Sequence, residues 1–248
     1  MWVSKRLTRE RINESGDNIK SQYTMTVKEV QSTTVETLVN ERQNDLERLC
    51  RHVFNINHQY KALIIVRDNL TAEEILLHID FSENYSCKYS SEIQSTHFGS
   101  SKRQISIHTG VAYTRDKTVS FATVSDCLKH GPAAIWAHLD PVLNHLRDMS
   151  PKPLKLIHFV SDGPTTQYRS KTKFFHFSKK IYEYGTWNFW ESGHGKGAPD
   201  GIGAVVKRQS DGLVNTHQGG CDESLSYCSR YVEKTTSIDR VTRAHRPI

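Results

Sequence analysis

The chain has 248 residues, 36% of them hydrophobic and 24% charged, and its 33 Lys and Arg against 27 Asp and Glu give a formal net charge of +6. This length predicts one large globular domain or two small ones, and the mildly basic balance permits a polyanionic partner. No stretch approaches the roughly 18–20 apolar residues of a membrane-spanning helix, so we expect no membrane partner. The five cysteines form no CxxC pair, which excludes a zinc finger and favours reduced thiols.

The N-terminal part of the sequence predicts two different segments. Residues 1–24 are polar and show no periodicity, which predicts a disordered N-terminus. Apolar residues then recur at steps of three and four between Val27 and Val66, which predicts a helical segment over 25–70. We expect two helices there, with a break near Asn55–His58.

Strand patterns begin after this helical segment. Glu73–Phe81 is a short apolar run that ends in an acid. Gln104–Tyr113 and Thr118–Ser125 alternate apolar and polar residues on either side of a turn-like TRDK sequence, which predicts an antiparallel hairpin.

Helices and strands then alternate along the chain. The predicted elements are a helix at Gly131–Met149, a strand within Pro153–Gly163, a helix at Thr165–Tyr184, a strand at Thr186–Trp190 and a helix at Pro199–Thr216. The whole order, β-β-β-α-β-α-β-α, predicts an α/β domain over 71–217 with a mixed five-stranded sheet whose later strands are parallel. Residues 218–248 show no pattern and are expected to form an irregular tail.

Three acids fall at element ends in this arrangement. Asp80 ends the first strand of the domain, Asp162 ends the fourth, and Asp200 opens the last helix. Sites in open α/β sheets form at the carboxyl ends of strands, and we expect the first and fourth strands to be neighbours. Clustered carboxylates repel one another unless a cation is present, and oxygen ligands suit Mg²⁺ or Mn²⁺. Two such ions are the usual catalysts of phosphodiester cleavage.

Three sequence blocks carry a family resemblance: DFSENY (Asp80–Tyr85), SDGPTTQYR (Ser161–Arg169) and WNFWESGHGKGAPDGIGAVVKR (Trp187–Arg208). They resemble transposon-derived proteins whose core is similar to that of the DDE transposases. The resemblance covers roughly residues 54–216 and implies a ribonuclease H-like fold with catalytic, metal-binding acids at Asp80 and Asp162.

The third acid has two candidates. The resemblance favours Asp200, which follows Asp162 by 38 positions and leads a D-G-x-x-x-x-x-K-R helix. It is an Asp where such transposases usually carry Glu. Glu191 is the alternative, 29 positions after Asp162 at a strand end.

Basic residues near these acids are candidates for contacts to phosphate. Lys196, in the tetrapeptide HGKG with His194, precedes a helix start where backbone N–H groups favour anions. Lys207, Arg208 and Arg169 are further candidates, against the simpler interpretation of a solvated surface. Trp187, Phe189 and Trp190 are expected to pack in the core rather than to stack on bases.

These features favour a transposase-like enzyme that cleaves DNA and transfers strands with two Mg²⁺ or Mn²⁺ ions, as a homo-oligomer on DNA in the nucleus. The first alternative is a domesticated or truncated protein that binds nucleic acid without catalysis. The second is an RNA-directed nuclease of the same fold. Divalent-metal-dependent nicking of DNA separates the enzyme from the inactive protein.

Overall fold

The structure is a computed structural model that describes residues 2–12, 18–30, 32–88, 102–180, 183–193, 197–216 and 238–243. The chain divides into two compact units, Met1–Arg51 and His52–Ile248.

The first unit contains an antiparallel β-ribbon. Strands β1 (Trp2–Ile12) and β2 (Asn18–Lys28) pair in an unbroken register, from Trp2 opposite Lys28 to Ile12 opposite Asn18. These strands replace the disorder expected over residues 1–24. Strand β1 is hard to detect because it has charged residues on both faces, whereas β2 alternates apolar residues at Tyr23, Met25 and Val27 with polar ones, which is a strand signal.

Helix α1 (Val35–Asp68) is a single helix of 34 residues, and the break predicted near Asn55–His58 was wrong. The segment contains neither Gly nor Pro, so nothing in the backbone interrupts it. It begins where the Thr34 hydroxyl caps the N–H of Thr37 at 3.2 Å and ends where the Asn69 amide donates to the Ile65 carbonyl at 2.7 Å.

The second unit is an α/β domain built on a mixed sheet. Its strands and helices are β3 (Glu74–Ser86), β4 (Gln104–Tyr113), β5 (Thr118–Ser125), α2 (Pro132–Met149), β6 (Leu156–Ser161), α3 (Lys171–Lys179), β7 (Tyr184–Phe189), α4 (Ala198–Thr216) and β8 (Ile238–Arg243). The strand order is β7-β6-β3-β4-β5-β8. Neighbours β3, β4 and β5 pair antiparallel, whereas β6 and β7 run parallel to β3. The prediction of adjacent first and fourth strands is confirmed.

Two elements differ from the sequence-based prediction. Helix α3 covers only Lys171–Lys179 of the helix predicted at Thr165–Tyr184, since the Ser170 hydroxyl accepts from the N–H of Lys173 and starts the helix there. Strand β8 lies in the predicted irregular tail and pairs parallel with β5, which adds a sixth strand beside the five predicted.

Helices cover both faces of the sheet. One core lies under α2 and contains Ile75, Leu77 and Ile79 of β3, with Trp187 and Phe189 packed against it. The opposite face packs on α4 and on the C-terminal part of α1, where Trp190 joins a smaller cluster around Leu76. The three aromatic residues therefore contribute to the core as predicted. Among the helices described, none is long and apolar enough to span a membrane.

Candidate functional site

The end of the β3–β6 ladder positions two of the predicted acids. The parallel pairing of these strands ends at His78 opposite Val160, and Asp80 and Asp162 each lie two residues beyond that pair. The two acids therefore follow the same rung of adjacent parallel strands. Asp80 is still within β3 and half-buried, opposite Thr109 of β4.

Asp162 is the first residue after β6, where the chain leaves the sheet. The Ser161 hydroxyl before it donates to the Asp162 carbonyl at 2.8 Å, and the Trp187 indole N–H donates to the Ser161 hydroxyl oxygen at 3.0 Å. A buried network therefore fixes the backbone from which the Asp162 side chain projects.

Asp200 lies in the first turn of α4, as the sequence predicts. Its Oδ2 accepts a hydrogen bond from the N–H of Gly197 at 2.9 Å, which is the backward half of a capping box. The acid thus serves the helix start, the structural role weighed against metal binding, and it also lies close enough to the other two acids to act on them.

The three carboxylates interact electrostatically. Burial, together with the charges of Asp162 and Asp200, raises the pKa of Asp80 to about 7. Burial and then the Asp200 charge raise the pKa of Asp162. Like charges repel in a partly dry cleft, so this cluster favours either a bound proton or a bound cation.

Close backbone packing brings α4 to the acids. The Thr109 hydroxyl donates to the Pro199 carbonyl at 2.9 Å and to the Asp80 carbonyl at 3.3 Å, which ties β3 to the helix start. A Cβ at Gly203 would lie 2.8 Å from Ser82 Oγ, so this glycine permits the close contact. A Cβ at Gly201 would meet nothing within 4 Å.

His78 completes the packing beneath the helix start. A Cβ at Gly197 would lie 2.7 Å from His78 Cε1, and the Trp190 indole donates to His78 Nε2 at 3.1 Å. Burial lowers the pKa of His78 to about 4, against the opposing effect of Asp200, so this histidine is neutral. The sequence signal for it was the i, i+2 spacing with Asp80, which places both on one face.

Glu191 is held elsewhere. Its carboxylate receives hydrogen bonds from His52 Nδ1 at 3.0 Å and Asn55 Nδ2 at 3.1 Å, and its N–H donates to Gln59 Oε1 at 2.8 Å. All three partners lie on α1, so Glu191 joins the helix to the end of β7. Of the two candidates for the third acid, Asp200 is the one whose charge raises the pKa of both Asp80 and Asp162.

The predicted phosphate contacts are only partly described. His194 and Lys196 lie outside the described residues. Lys207 is half-buried and Arg208 is exposed on α4, two turns beyond Asp200. Arg169 is in the turn before α3 instead of on a helix, and its guanidinium lies 5.8 Å from the Phe189 ring centre.

Tyr168 is fully buried on the opposite face of the sheet. Its hydroxyl lies 3.0 Å from His108 Nε2, and burial together with the charges of Asp80 and Asp162 raises its pKa well above the usual value. His138 and His130 complete a cluster around Phe81. Pattern reading could not find it, because the turn over 165–170 was taken as helix.

The donor set fits a hard cation, because Asp80, Asp162 and Asp200 offer only oxygen ligands and lie near one another at the same end of the sheet. Among the described residues, however, no three His, Cys, Asp or Glu side chains already stand as a group that could hold a metal ion. Binding would require these carboxylates to turn inward, and Asp200 would have to leave or share its bond to Gly197.

Comparison with known proteins places the domain in a family. A family model described as a domain of unknown function, DUF8701, matches residues 57–239. The chain belongs to the DUF8701 family. No curated protein matches the sequence. The DUF8701 match covers strands β3 to β7 and all three acids; it begins within α1, after the β-ribbon, and ends at the start of β8.

Proposed function

We propose that this DUF8701 protein is a divalent-metal-dependent enzyme that cleaves and transfers DNA strands, in the manner of the DDE transposases that its sequence resembles. One observation carries the proposal. Asp80 and Asp162 follow the same rung of adjacent parallel strands, and Asp200 lies close enough for its charge to raise the pKa of both.

The strand order supports a ribonuclease H-like fold for this domain. Numbered from β3, the five predicted strands lie in the order fifth, fourth, first, second, third, with the first three antiparallel and the last two parallel to the first. That is the order expected when a meander occupies one edge and crossovers extend the other.

The acids would act as metal ligands rather than as nucleophiles. Asp80, Asp162 and Asp200 would hold two Mg²⁺ or Mn²⁺ ions, which supply activation of the attacking oxygen and stabilisation of the leaving oxygen. With a pKa of about 7, Asp80 releases its proton near neutral pH. Neutral His78 lies beside the site without adding a positive charge that would compete with the ions. Lys207 and Arg208 are proposed to contact the DNA backbone.

A second candidate is a protein that binds DNA without cleaving it. The observation that favours it is the Asp200 carboxylate, which is already used as a helix cap by Gly197 N–H. In that case the acids would be remnants of an active ancestor.

Nicking of supercoiled plasmid tests the proposal. We expect nicked circles with Mg²⁺ or Mn²⁺, none with EDTA, and none from Asp162→Asn with either ion. Thermal unfolding of Asp162→Asn would show that the fold is intact. Metal-independent nicking, or equal nicking by wild type and Asp162→Asn, would reject the enzyme, and DNA binding without nicking would favour the inactive protein.

A further inference from the structure

The β-ribbon of the first unit lies outside the DUF8701 match and has no role in the site above. We propose that it binds in the major groove of duplex DNA and reads base edges with one of its two faces. The choice of DNA as partner rests on the proposed function, whereas the choice of surface rests on the ribbon itself.

Charge supports a polyanionic partner for the ribbon. The two strands carry six basic residues, Lys5, Arg6, Arg9, Arg11, Lys20 and Lys28, and one acidic residue, Glu10. Lys20 pairs with Glu10 at 2.8 Å and Lys5 pairs with Glu29. Within the described part of the chain, Arg6, Arg9 and Lys28 are exposed and have no carboxylate partner. The remaining charge can therefore neutralise phosphates.

The dimensions of the ribbon suit the major groove. Each strand has 11 residues, and a strand of that length spans about 35 Å at roughly 3.3 Å per residue. Two strands about 4.8 Å apart form a ribbon narrower than the groove, which is about 12 Å wide and admits such a ribbon. The minor groove is about half as wide.

The two faces of the ribbon differ in chemistry. The register pairs even-numbered residues with even-numbered ones, and directly opposed residues share a face. The centre of the even-numbered face is formed by Ser4 opposite Thr26, Arg6 opposite Thr24 and Thr8 opposite Gln22, all of them exposed. The odd-numbered face carries apolar residues instead, including Leu7 opposite Tyr23 and Val3 opposite Val27.

The even-numbered face has the side chains that recognise bases. Guanidinium groups bind guanine in a bidentate manner, carboxamides bind adenine, and Thr offers both a hydroxyl and a methyl for thymine. Arg6 and Gln22 supply the first two groups and Thr24 the third. A contact made only with phosphates would need cations alone, so the uncharged polar residues indicate base reading.

Selection from a random duplex DNA library tests this inference. The full chain is used in EDTA, so that cleavage cannot occur, and bound duplexes are sequenced. We expect wild type to enrich a sequence motif. Arg6→Ala and Gln22→Ala should each lose part of that motif and bind the selected duplex about 5- to 150-fold more weakly.

Arg9→Ala is the matched control, because it removes the same group from the opposite face of the same strand. It should keep the motif, with at most a uniform weakening for all duplexes. Far-UV circular dichroism checks that each variant retains the wild-type strand content. Arg6→Ala and Gln22→Ala both change the even-numbered face. If one of them fails to fold, the motif selected by the other still tests the assignment.

Three results would overturn the ribbon assignment: no motif from wild type, an unchanged motif in both Arg6→Ala and Gln22→Ala, or preferential binding of RNA, of single strands or of anionic vesicles over duplex DNA. Plasmid nicking by the same variants separates this outcome from failure of the proposed function. If the protein nicks DNA but the ribbon variants keep the wild-type motif, the ribbon assignment fails and the proposed enzyme stands. If the ribbon variants lose the motif but wild type does not nick DNA, the proposed enzyme fails and the ribbon assignment stands.

Discussion

The two faces of the central sheet bury titratable groups next to each other with opposite consequences. Asp80 and Phe81 are consecutive on β3, so the acid site lies on one face and the cluster of His108, His130 and His138 on the other. Burial drives both sets toward neutrality, raising the pKa of Asp80 to about 7 and lowering the pKa of His138 to about 4. On the histidine face, His138 Nδ1 lies 2.7 Å from Thr123 Oγ1 and His108 Nε2 lies 3.0 Å from the Tyr168 hydroxyl. The buried His108 Nδ1 has no hydrogen-bond partner among the described residues.

The acid face differs from the histidine face in the charges that surround its buried group. Asp80 has like charges as its nearest electrostatic neighbours, and among the interactions that shift its pKa only the Phe81 N–H favours the ionised form. A buried group that is neutral and hydrogen-bonded is a structural feature, whereas a buried group beside like charges is typical of a site that receives a ligand. For this reason we propose the acid face, where like charges adjoin a buried carboxyl group, as the functional face.

The largest expected effect is on catalysis and concerns the third acid. Asp200→Asn should lower the Mg²⁺-dependent nicking rate by roughly a hundredfold to a thousandfold, since a lost metal ligand removes several kcal/mol of charge stabilisation. Glu191→Gln is the matched control and should retain most of the rate, because its carboxylate is bonded to His52 and Asn55. Active Asp200→Asn with inactive Glu191→Gln would show that the strand-end acid is the ligand.

The next effect is on the pH dependence of stability, which differs in sign between the faces. The folded pKa of His138 is about 4 against 6.5 when unfolded, so the unfolded chain binds more protons between these values and stability falls as pH drops from 6.5 to 4. The folded pKa of Asp80 is about 7 against 3.8, so its contribution falls as pH rises from 3.8 to 7.

Asp80→Asn removes the contribution of the Asp80 carboxyl group to the pH dependence of stability and leaves that of His138. In EDTA at pH 8 we expect the variant to be more stable than wild type, on the order of 2 kcal/mol after allowance for solvent screening, and nearly equal to it at pH 4. Urea unfolding at several pH values measures the difference. A variant that is less stable than wild type at pH 8 would show that the ionised carboxylate is stabilised by a partner.

A smaller effect tests the histidine face. Tyr168→Phe should cost about 1–3 kcal/mol of unfolding free energy, because it leaves the buried His108 Nε2 without its partner. Since this face is structural, Mn²⁺ affinity should stay within about twofold of wild type. Loss of Mn²⁺ binding at unchanged stability would assign Tyr168 to the site.

The smallest effect distinguishes two glycines of α4. Gly203→Ala should destabilise the protein by about 1–2 kcal/mol, since the new methyl would collide with Ser82 and push the helix from β3. Gly201→Ala meets nothing within 4 Å and should stabilise the helix by up to about 1 kcal/mol. Thermal unfolding compares the two, and equal shifts would argue against close packing as the device that brings Asp200 to the sheet.

Much of the second unit was predictable because each of its central strands is buried on one or both faces. Alternation in β4 and β5, and apolar runs in β3 and β6, located the sheet and placed Asp80 and Asp162 at neighbouring strand ends. Local chemistry also placed Asp200 in the first turn of α4. These features depend on short-range sequence patterns, which can be recognised without knowledge of the tertiary contacts.

The features that were missed depend on contacts between distant residues or on exposed surfaces. The Glu191 bonds to α1 join residues more than 130 positions apart, and the burial of Tyr168 depends on His108. In the β-ribbon, charged residues on both faces of β1 obscure the pattern, although the alternation of apolar and polar residues in β2 is a usable strand signal. Ser170 delays the start of the expected helix to Lys171 through a capping bond that the amphipathic pattern did not reveal.

A Mn²⁺ titration of the full chain tests most directly whether the acid face is a cation site. By calorimetry in low salt at pH 8, we expect two Mn²⁺ ions to bind each wild-type chain. Binding should weaken at pH 6, where Asp80 holds a proton, and should be lost in Asp162→Asn but retained in Glu191→Gln. Absence of Mn²⁺ binding by wild type, or equal binding by Asp162→Asn, would show that the three acids do not form a cation site.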